Sequence, residues 1–443
     1  MSTSVAATPF VEAQLDAAAQ RTLPGSGLAW LDQVRRENLA AFAATGLPSS
    51  RVEAWKYTAL RAFAQKRFGL VDPAAPAPTV DSALASLPGI DGPRLVFVNG
   101  VFRAELSMLD ALPAGLSLQP LAQALATQPD PLRFALSRHY QAAGDAFAQL
   151  NAALAGDGVV LRVAAGAKIA APVQLVFIGA PAEMALAWHA RNLIEVGQGA
   201  ELLLVERHLG SAENAHLGNL VSDVTLQENA RLTHVVLQSA ASGSSLIRRS
   251  QLSLQRQAEA ALYVLELGGA LVRHDLTADL LGDGARLDTR GVFALRGRQH
   301  VDTQLVVHHR AKHTASDALW RGVADERSRG VFRGAIVVAE GADGTDAALS
   351  NKNLLLSAGA EIDSKPELEI YADEVKAAHG ATVGQLDERA LFYLRSRGIA
   401  QAEARSLLTA AFCRAVIDTL PHEGLRDHLS AQLLAHLPHR NEA

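Results

Sequence analysis

Three groups of residues in this chain could bind a metal or attack a substrate: His379 with Gly380 beside it, the run HHRAKHT with His308, His309 and His313, and the single Cys413. A neutral imidazole suits borderline metals such as iron. His379 stands at a seam in YADEVKAAHGATVGQLDERALFYLRSRGI (371–399), where strand-like alternation gives way to helical spacing. Gly380 permits close approach of another backbone or a ligand, and Ala377, Ala378 and Ala381 are too small to bury the ring. Two readings stand: a ligand accessible at the end of a sheet, or a histidine hydrogen-bonded within a capping turn. His309 and His313 would share one face of a strand, but ligands so far apart converge only across a turn. The run is therefore expected to be solvated at a strand end. Cys413 falls in an apolar helical stripe, which predicts a small buried hydrophobe, not a thiolate.

The sequence contains no GxxxxGK[ST] phosphate loop, no GxSxG elbow and no HExxH zinc helix. Ordinary ATPase and hydrolase chemistry is not expected. Two carboxylates facing one groove would suffice for a polysaccharide-active enzyme, although nothing in the acidic spacing selects a pair. A net charge of −5 and a pI near 6.3 give no basic face for nucleic acid or anionic lipid. The first twenty residues lack the order of a signal peptide, and no apolar run approaches the roughly eighteen residues of a membrane span. One cysteine excludes an internal disulfide and an all-cysteine zinc or iron–sulfur site held by this chain alone, and it fits a cytoplasmic location. Aromatic residues make up only 5%, so the core must be aliphatic and layered.

The elements that must position these residues fall into three regions. Residues 1–155 read as an N-terminal helical and mixed region. AWLDQVRRENLAAFAATGLP (29–48) is helical with Leu31, Val34, Leu39 and Phe42 near one face, and DPAAPAPTVDSALASLPG (72–89) reads as a linker. RLVFVNGVFRAEL (94–106) predicts a hairpin turned at Asn99-Gly100, and a further helical region spans Pro120 to about Ala155. Residues 156–383 are short strands broken by Gly, Asn and Asp. A corner motif recurs as Gly166-Ala167-Lys168-Ile169, Gly199-Ala200-Glu201-Leu202, Asn229-Ala230-Arg231-Leu232, Gly284-Ala285-Arg286-Leu287 and Gly359-Ala360-Glu361-Ile362. The separations of 33, 30, 55 and 75 residues are near multiples of about 25–30, which predicts a β-solenoid, with a sandwich as the alternative. Residues 384–443 form a C-terminal helical domain. Leu408, Phe412, Val416 and Leu420 make a stripe expected to face the preceding helix.

These stretches carry a resemblance. Over nearly its whole length the chain resembles the SufB/SufD family, the scaffold subunits of the SUF iron–sulfur cluster assembly machinery. The matching segments are RVEAWKYT (51–58), FVNGVF (97–102), VERHLG (205–210), NKNLLLS (351–357), KPELEIYADEVKAAHGATVG (365–384) and LFYLRSRGI (391–399). WKYT and the single cysteine place the resemblance nearer the SufD branch, because SufB-like chains carry more cysteines. The resemblance implies a mainly β fold, a right-handed parallel β-helix core flanked by helical N- and C-terminal regions. It implies a non-catalytic scaffold that pairs end to end with a SufB-like paralogue, or with itself when alone, and that carries a SufC-like ABC ATPase on its C-terminal helices. It places His379 against SufB as a ligand for transient iron or a nascent cluster, with no cofactor held by the isolated chain. Many relatives have a cysteine two residues before this histidine, where this chain has Ala377, so a thiolate from this chain is excluded there.

The ATPase is expected on Leu391, Phe392, Tyr393, Arg395, Arg397, Leu408 and Phe412, where an apolar stripe adjoins a charged turn. Removing everything after Gly384 is expected to leave the β-helix folded. The remaining alternatives are a β-helix polysaccharide-active enzyme and a homodimeric β-solenoid adaptor with no metal role.

Overall fold

The computed structural model describes residues 8–76, 78–80, 83 and 90–437. From Asp157 onward the chain winds as a parallel β-solenoid of about eight coils, each giving one strand to each of two sheets. One sheet holds Asp157–Val163, Leu186–Val196, Leu217–Leu226, Ser245–Leu254, Leu271–Leu280, His300–His309, Arg329–Val338 and Glu361–Ile370. The other holds Lys168–Gly179, Glu201–Gly210, Arg231–Ser239, Glu259–Glu266, Arg286–Leu295, Ala315–Ala324, Asp346–Leu355 and Lys376–Gly384. Strand starts in this second sheet lie 27 to 33 residues apart, which is the length of one coil.

The corner into the second sheet explains the repeat. Gly166, Gly199, Asn229, Gln257, Gly284, His313 and Gly344 all have positive φ, and each stands two residues before its strand. That left-handed step turns the chain sharply, which favours Gly or Asn. The next residue is packed into the corner; Ala200, Ala230, Ala258 and Ala285 are fully buried. The residue after that faces solvent, and Lys168, Glu201, Arg231, Glu259 and Arg286 stand in register with alternating charge. Lys168 lies 3.0 Å from Glu201, and Arg231 lies 3.5 Å from Glu259. Gly359 does not belong to this ladder. It precedes Glu361 in the other sheet, which is why its separation of 75 residues is no whole number of coils.

Alternation along every strand sends one row of side chains into the lumen. Leu202, Leu204, Leu232, Val236, Leu262, Val264, Leu287 and Phe293 form part of that continuous core. Burying each such side chain contributes about 1.5–3 kcal/mol.

The outer face of each sheet is covered differently. Phe10, Phe42 and Phe147 on the helices Pro9–Gln20, Ala29–Thr45 and Ala146–Leu154, with Trp55, Phe63 and Phe68 from the segment after the second helix, form an aromatic cluster on Ala187, Leu217 and Ile247 of the first sheet. Only short helices, Leu121–Thr127, Arg133–Leu136 and Ala146–Leu154, occupy the region expected to be helical from Pro120 to Ala155. Half of the 72–89 stretch read as a linker lies outside the described residues; Val80 and Ala83 pack with Val96 and Ile178. On the second sheet the helices Gln401–Ile417 and Glu423–His436 cover Val205, Val235, Leu237, Tyr263, Leu265 and Val292. Among the described residues no helix is long and apolar enough to cross a membrane.

The solenoid is capped at one end. Leu116–Pro120 pairs antiparallel with Asp157–Val163, and Arg94–Val98 pairs with Lys168–Gly179 before turning back as Val101–Phe102. That turn is the expected Asn99-Gly100 hairpin, both residues at positive φ. A Cβ at Gly100 would sit 2.3 Å from Trp188, so the cap closes only with glycine there. The other end, Glu361–Ile370 and Lys376–Gly384, terminates both sheets with unpaired edges.

Candidate functional site

His379 lies on the last strand of the open end. Its register partner is Leu349, and the row continues inward through Ala318, Thr289, Leu262, His234 and Leu204. The imidazole therefore occupies a lumen position, one that every inner coil fills with a buried side chain. No further coil stacks on it, so the ring is exposed and makes no hydrogen bond among the described residues. His379 is therefore not hydrogen-bonded into a capping turn. A Cβ placed on Gly380 or Gly384 would meet nothing within 4 Å, so the strand is open to an approaching backbone.

Beneath it a polar layer closes the lumen. Asn353 Nδ2 donates to Asn351 Oδ1 at 2.6 Å and to the Thr382 carbonyl at 3.1 Å, while the Ser364 hydroxyl donates to Asn351 Oδ1 at 2.7 Å. These asparagines were not read as part of a site from the sequence. Their signal is the N-x-N spacing, which puts both on one strand face. One imidazole with no second ligand beside it can supply a single donor. Among the described residues no group of three or more His, Cys, Asp or Glu could hold a metal ion.

Two other histidine groups resolve as structure. His309 is buried, not solvated as expected: Nδ1 lies 2.8 Å from the Thr314 hydroxyl and Nε2 lies 2.8 Å from that of Ser316. Burial, with His308 nearby, pushes it down to about 4. His313 is the left-handed corner residue of its coil and does not share a strand face with His309. Midway along the lumen Glu206, His208, His234, Arg248, Glu266 and His274 are all buried. His208 lies 2.6 Å and His234 3.3 Å from the Glu206 carboxylate, and Arg248 lies 3.2 Å from Glu266 and 3.7 Å from Glu206. These are metal-ligand types, but the guanidinium already supplies the cation between the two carboxylates. Against the upward push of burial, hydrogen bonds from His208 and His234 hold Glu206 well below the usual carboxylate range. Burial, then Arg248, holds His274 well below the usual histidine range.

Cys413 is buried against the second sheet, and burial pushes its thiol up to about 12, so it is the inert hydrophobe that its stripe predicts. The stripe itself needs a correction. Val416 and Leu420, with Cys413, face the outer surface of the sheet and not chiefly the preceding helix. Removing residues after Gly384 would therefore uncover Val205, Val235, Leu237 and Leu265, so the C-terminal helices are part of the packing of the solenoid and not a separate appendage.

Of the residues expected to dock an ATPase, Leu391 is buried, and Leu408 and Phe412 are half-buried, the latter with the Arg321 guanidinium 5.5 Å from its ring. Phe392 and Tyr393 are 74% and 57% exposed, with Arg395 and Arg397 beside them. On one outer corner of the solenoid, Glu201 and Glu259 both stand against Arg231.

Fold and site together define a β-solenoid protein with one capped end and one open end that presents a single imidazole. Residues 177–412 match the family model described as SUF system FeS cluster assembly, SufBD core domain, and residues 13–175 match the SufBD protein N-terminal region. The chain belongs to the SufBD family of iron–sulfur cluster assembly proteins. It is 31% identical over 408 residues to the iron–sulfur cluster assembly protein SufD of Escherichia coli, covering 91% of this chain and 92% of that one. It is 32% identical over 394 residues to a SufBD family protein of Synechocystis, covering 86% of each. The SufD protein of Bacillus subtilis is 30% identical over 284 residues, 63% of this chain and 64% of that one.

Proposed function

We propose that this chain is a non-catalytic, cytoplasmic scaffold subunit whose open end pairs with a SufB-like paralogue, and that iron or a nascent cluster is held between the two chains as cargo. The observation that carries this reading is His379, a lumen-row residue left exposed and unbonded on a terminal strand whose outer edge is unpaired. A lone imidazole is half of a ligand set. A partner that continues the two sheets would place its own side chains over the ring, so the complete site exists only in the pair. Neutral imidazole nitrogen suits iron of borderline softness. Ala377 supplies no thiolate, so sulfur ligands come from the partner or from the cargo itself.

A SufC-like ATPase docks on the exposed patch of Phe392, Tyr393, Arg395 and Arg397. Exposed aromatic and arginine side chains are the types that dominate interface energies. Phe392→Ala with Arg397→Ala should lower ATPase affinity without lowering the melting temperature, and unchanged affinity would move the docking surface elsewhere.

The complex of this chain with its paralogue and ATPase, carrying His379→Ala, tests the main reading. Folding and complex formation should be unchanged, because the exposed ring buries little surface. Iron and acid-labile sulfide per complex should fall, while His308→Ala and His313→Ala leave both unchanged. Undiminished iron in the His379→Ala complex would remove the ligand role.

A further inference from the structure

Two features of the open end play no part in the ligand role of His379: the segment RVEAWKYT (51–58) and the charge of the last coil. The segment is clasped across the outer face of the first sheet. Trp55 lies under the Arg273 guanidinium at 3.9 Å, and the Thr58 hydroxyl donates to the Asp302 carboxylate and lies 2.9 Å from His300 Nε2. The clasp carries Glu53 to Lys365 on the terminal strand, 2.6 Å away. Glu53 thereby joins a row of outward carboxylates. Glu361, Asp363, Glu367 and Glu369 alternate with inward Ile362 and Leu368 along the edge strand.

Local cations answer only part of this row. Arg329 serves both Glu361 and Asp363, at 3.2 and 2.8 Å, while Arg333 and Lys365 share Glu367 at 2.5 and 2.8 Å. The side chains of Glu369 and Asp373 are exposed and make no hydrogen bond or ion pair among the described residues. Residues 361–384 hold six carboxylates against two lysines, a net −4 within a chain whose total is −5. Nearby, Ile370, Tyr371 and Val383 are exposed. The end thus combines unpaired backbone, apolar surface and an acidic rim.

A strand added to this edge would lie about 4.8 Å away, well within the screening length of about 8 Å at physiological salt. Outward side chains on the added strand would meet the rim with little screening. A second copy of this chain would bring its own acidic last coil to the same junction, and like charges juxtaposed across an interface select against that pairing. We propose that the acidic rim of the terminal coil selects a β-solenoid of different sequence whose own terminal edge is basic, and disfavours self-pairing. This rests on the reading that the open end docks a partner.

The test is the double variant Glu369→Lys with Asp373→Lys, which brings the last coil to neutrality without breaking an ion pair, so its melting temperature should match the parent. Affinity for the SufB-like paralogue and sedimentation of the isolated chain are measured at about 20 and about 500 mM NaCl, which shortens the screening length several-fold. The parent should lose about tenfold or more in affinity for the paralogue at the higher salt, while its self-association rises. In low salt the double variant should bind the paralogue about tenfold more weakly, or worse, and self-associate more strongly than the parent. A double variant indistinguishable from the parent in both measurements overturns the proposal. Ala381→Arg, a bulky side chain on the inward row of the terminal strand, should block the paralogue at either salt. If Ala381→Arg binds like the parent, the open end is not the docking end and the underlying reading fails. If Ala381→Arg blocks binding but the charge variant changes nothing, only the rim proposal falls.

Discussion

At one end of the solenoid Leu116–Pro120 and Arg94–Val98 lie over the first coil, and Phe97 stacks on Phe177 with ring centroids 5.2 Å apart. At the other end Glu361–Ile370 and Lys376–Gly384 carry unpaired edges, and His379, Ala381 and Val383 are exposed on positions that inner coils bury. The same repeat makes both ends, so the difference lies in the segments that flank the repeat on either side. A cap removes the edge at the cost of any docking there, whereas an open edge with inward-row side chains exposed is a template for another chain. The capped end has its backbone edge paired and its rings stacked, whereas under the proposed function the open end is kept for recognition.

Substitution should separate the two roles most sharply at paired positions. Phe97→Ala, at a fully buried stacked ring, should cost about 3–5 kcal/mol, and Val383→Ala, half-exposed at the open end, should stay within about 0.5 kcal/mol. Denaturant titration of both variants reads this directly. Equal losses would mean that the open end is as much a part of the fold as the cap.

Acid should act next most strongly, and on the body of the solenoid. Burial first, then Arg21, pushes His189 down to about 3, and His309 goes to about 4. A histidine depressed in the fold takes up protons preferentially in the unfolded chain below its ordinary pKa. Its stabilisation is therefore complete above about pH 6.5 and lost as pH falls toward the folded value. For His189 the loss between about pH 7 and pH 5 is about 2 kcal/mol. His208, His216 and His274, also lowered by burial, add in the same direction. Unfolding free energy measured across this range should fall, and His189→Gln should flatten the fall by about its own share. Asp157, pushed up to about 6 by burial, works in the opposite direction, so the decisive comparison is between variants: a pH dependence from 7 to 5 identical in His189→Gln and the parent would contradict neutral burial of this ring.

How much of this was legible in the sequence depended on how the backbone problem was solved at each corner. Corners built from Gly or Asn followed by Ala stood out at once, and four of the five noted ones are true coil corners. Gln257, His313 and Gly344-Thr345 make the same left-handed turn with other side chains, so the ladder looked sparser than it is. Gly359 shows the converse error, the same letters at a different corner. His379 was legible because small residues and a strand-to-helix seam surround it, but its inward row emerges only from the register with Leu349. His309 was misread because a strand end in sequence is still lumen when another coil stacks on it. The stripe through Cys413 signalled a buried helix face but not its target, since any apolar surface satisfies a stripe and only the fold chooses between sheet and neighbouring helix.

Hydrogen–deuterium exchange on this chain with and without its paralogue tests the contrast between the ends most directly. On binding, the amides of 361–384 should gain strong protection because both edges become paired, and the capping strands 94–102 and 116–120 should exchange as before. Protection appearing at the capped end, with 361–384 unchanged, would contradict the assignment of the open end as the site that a second chain completes.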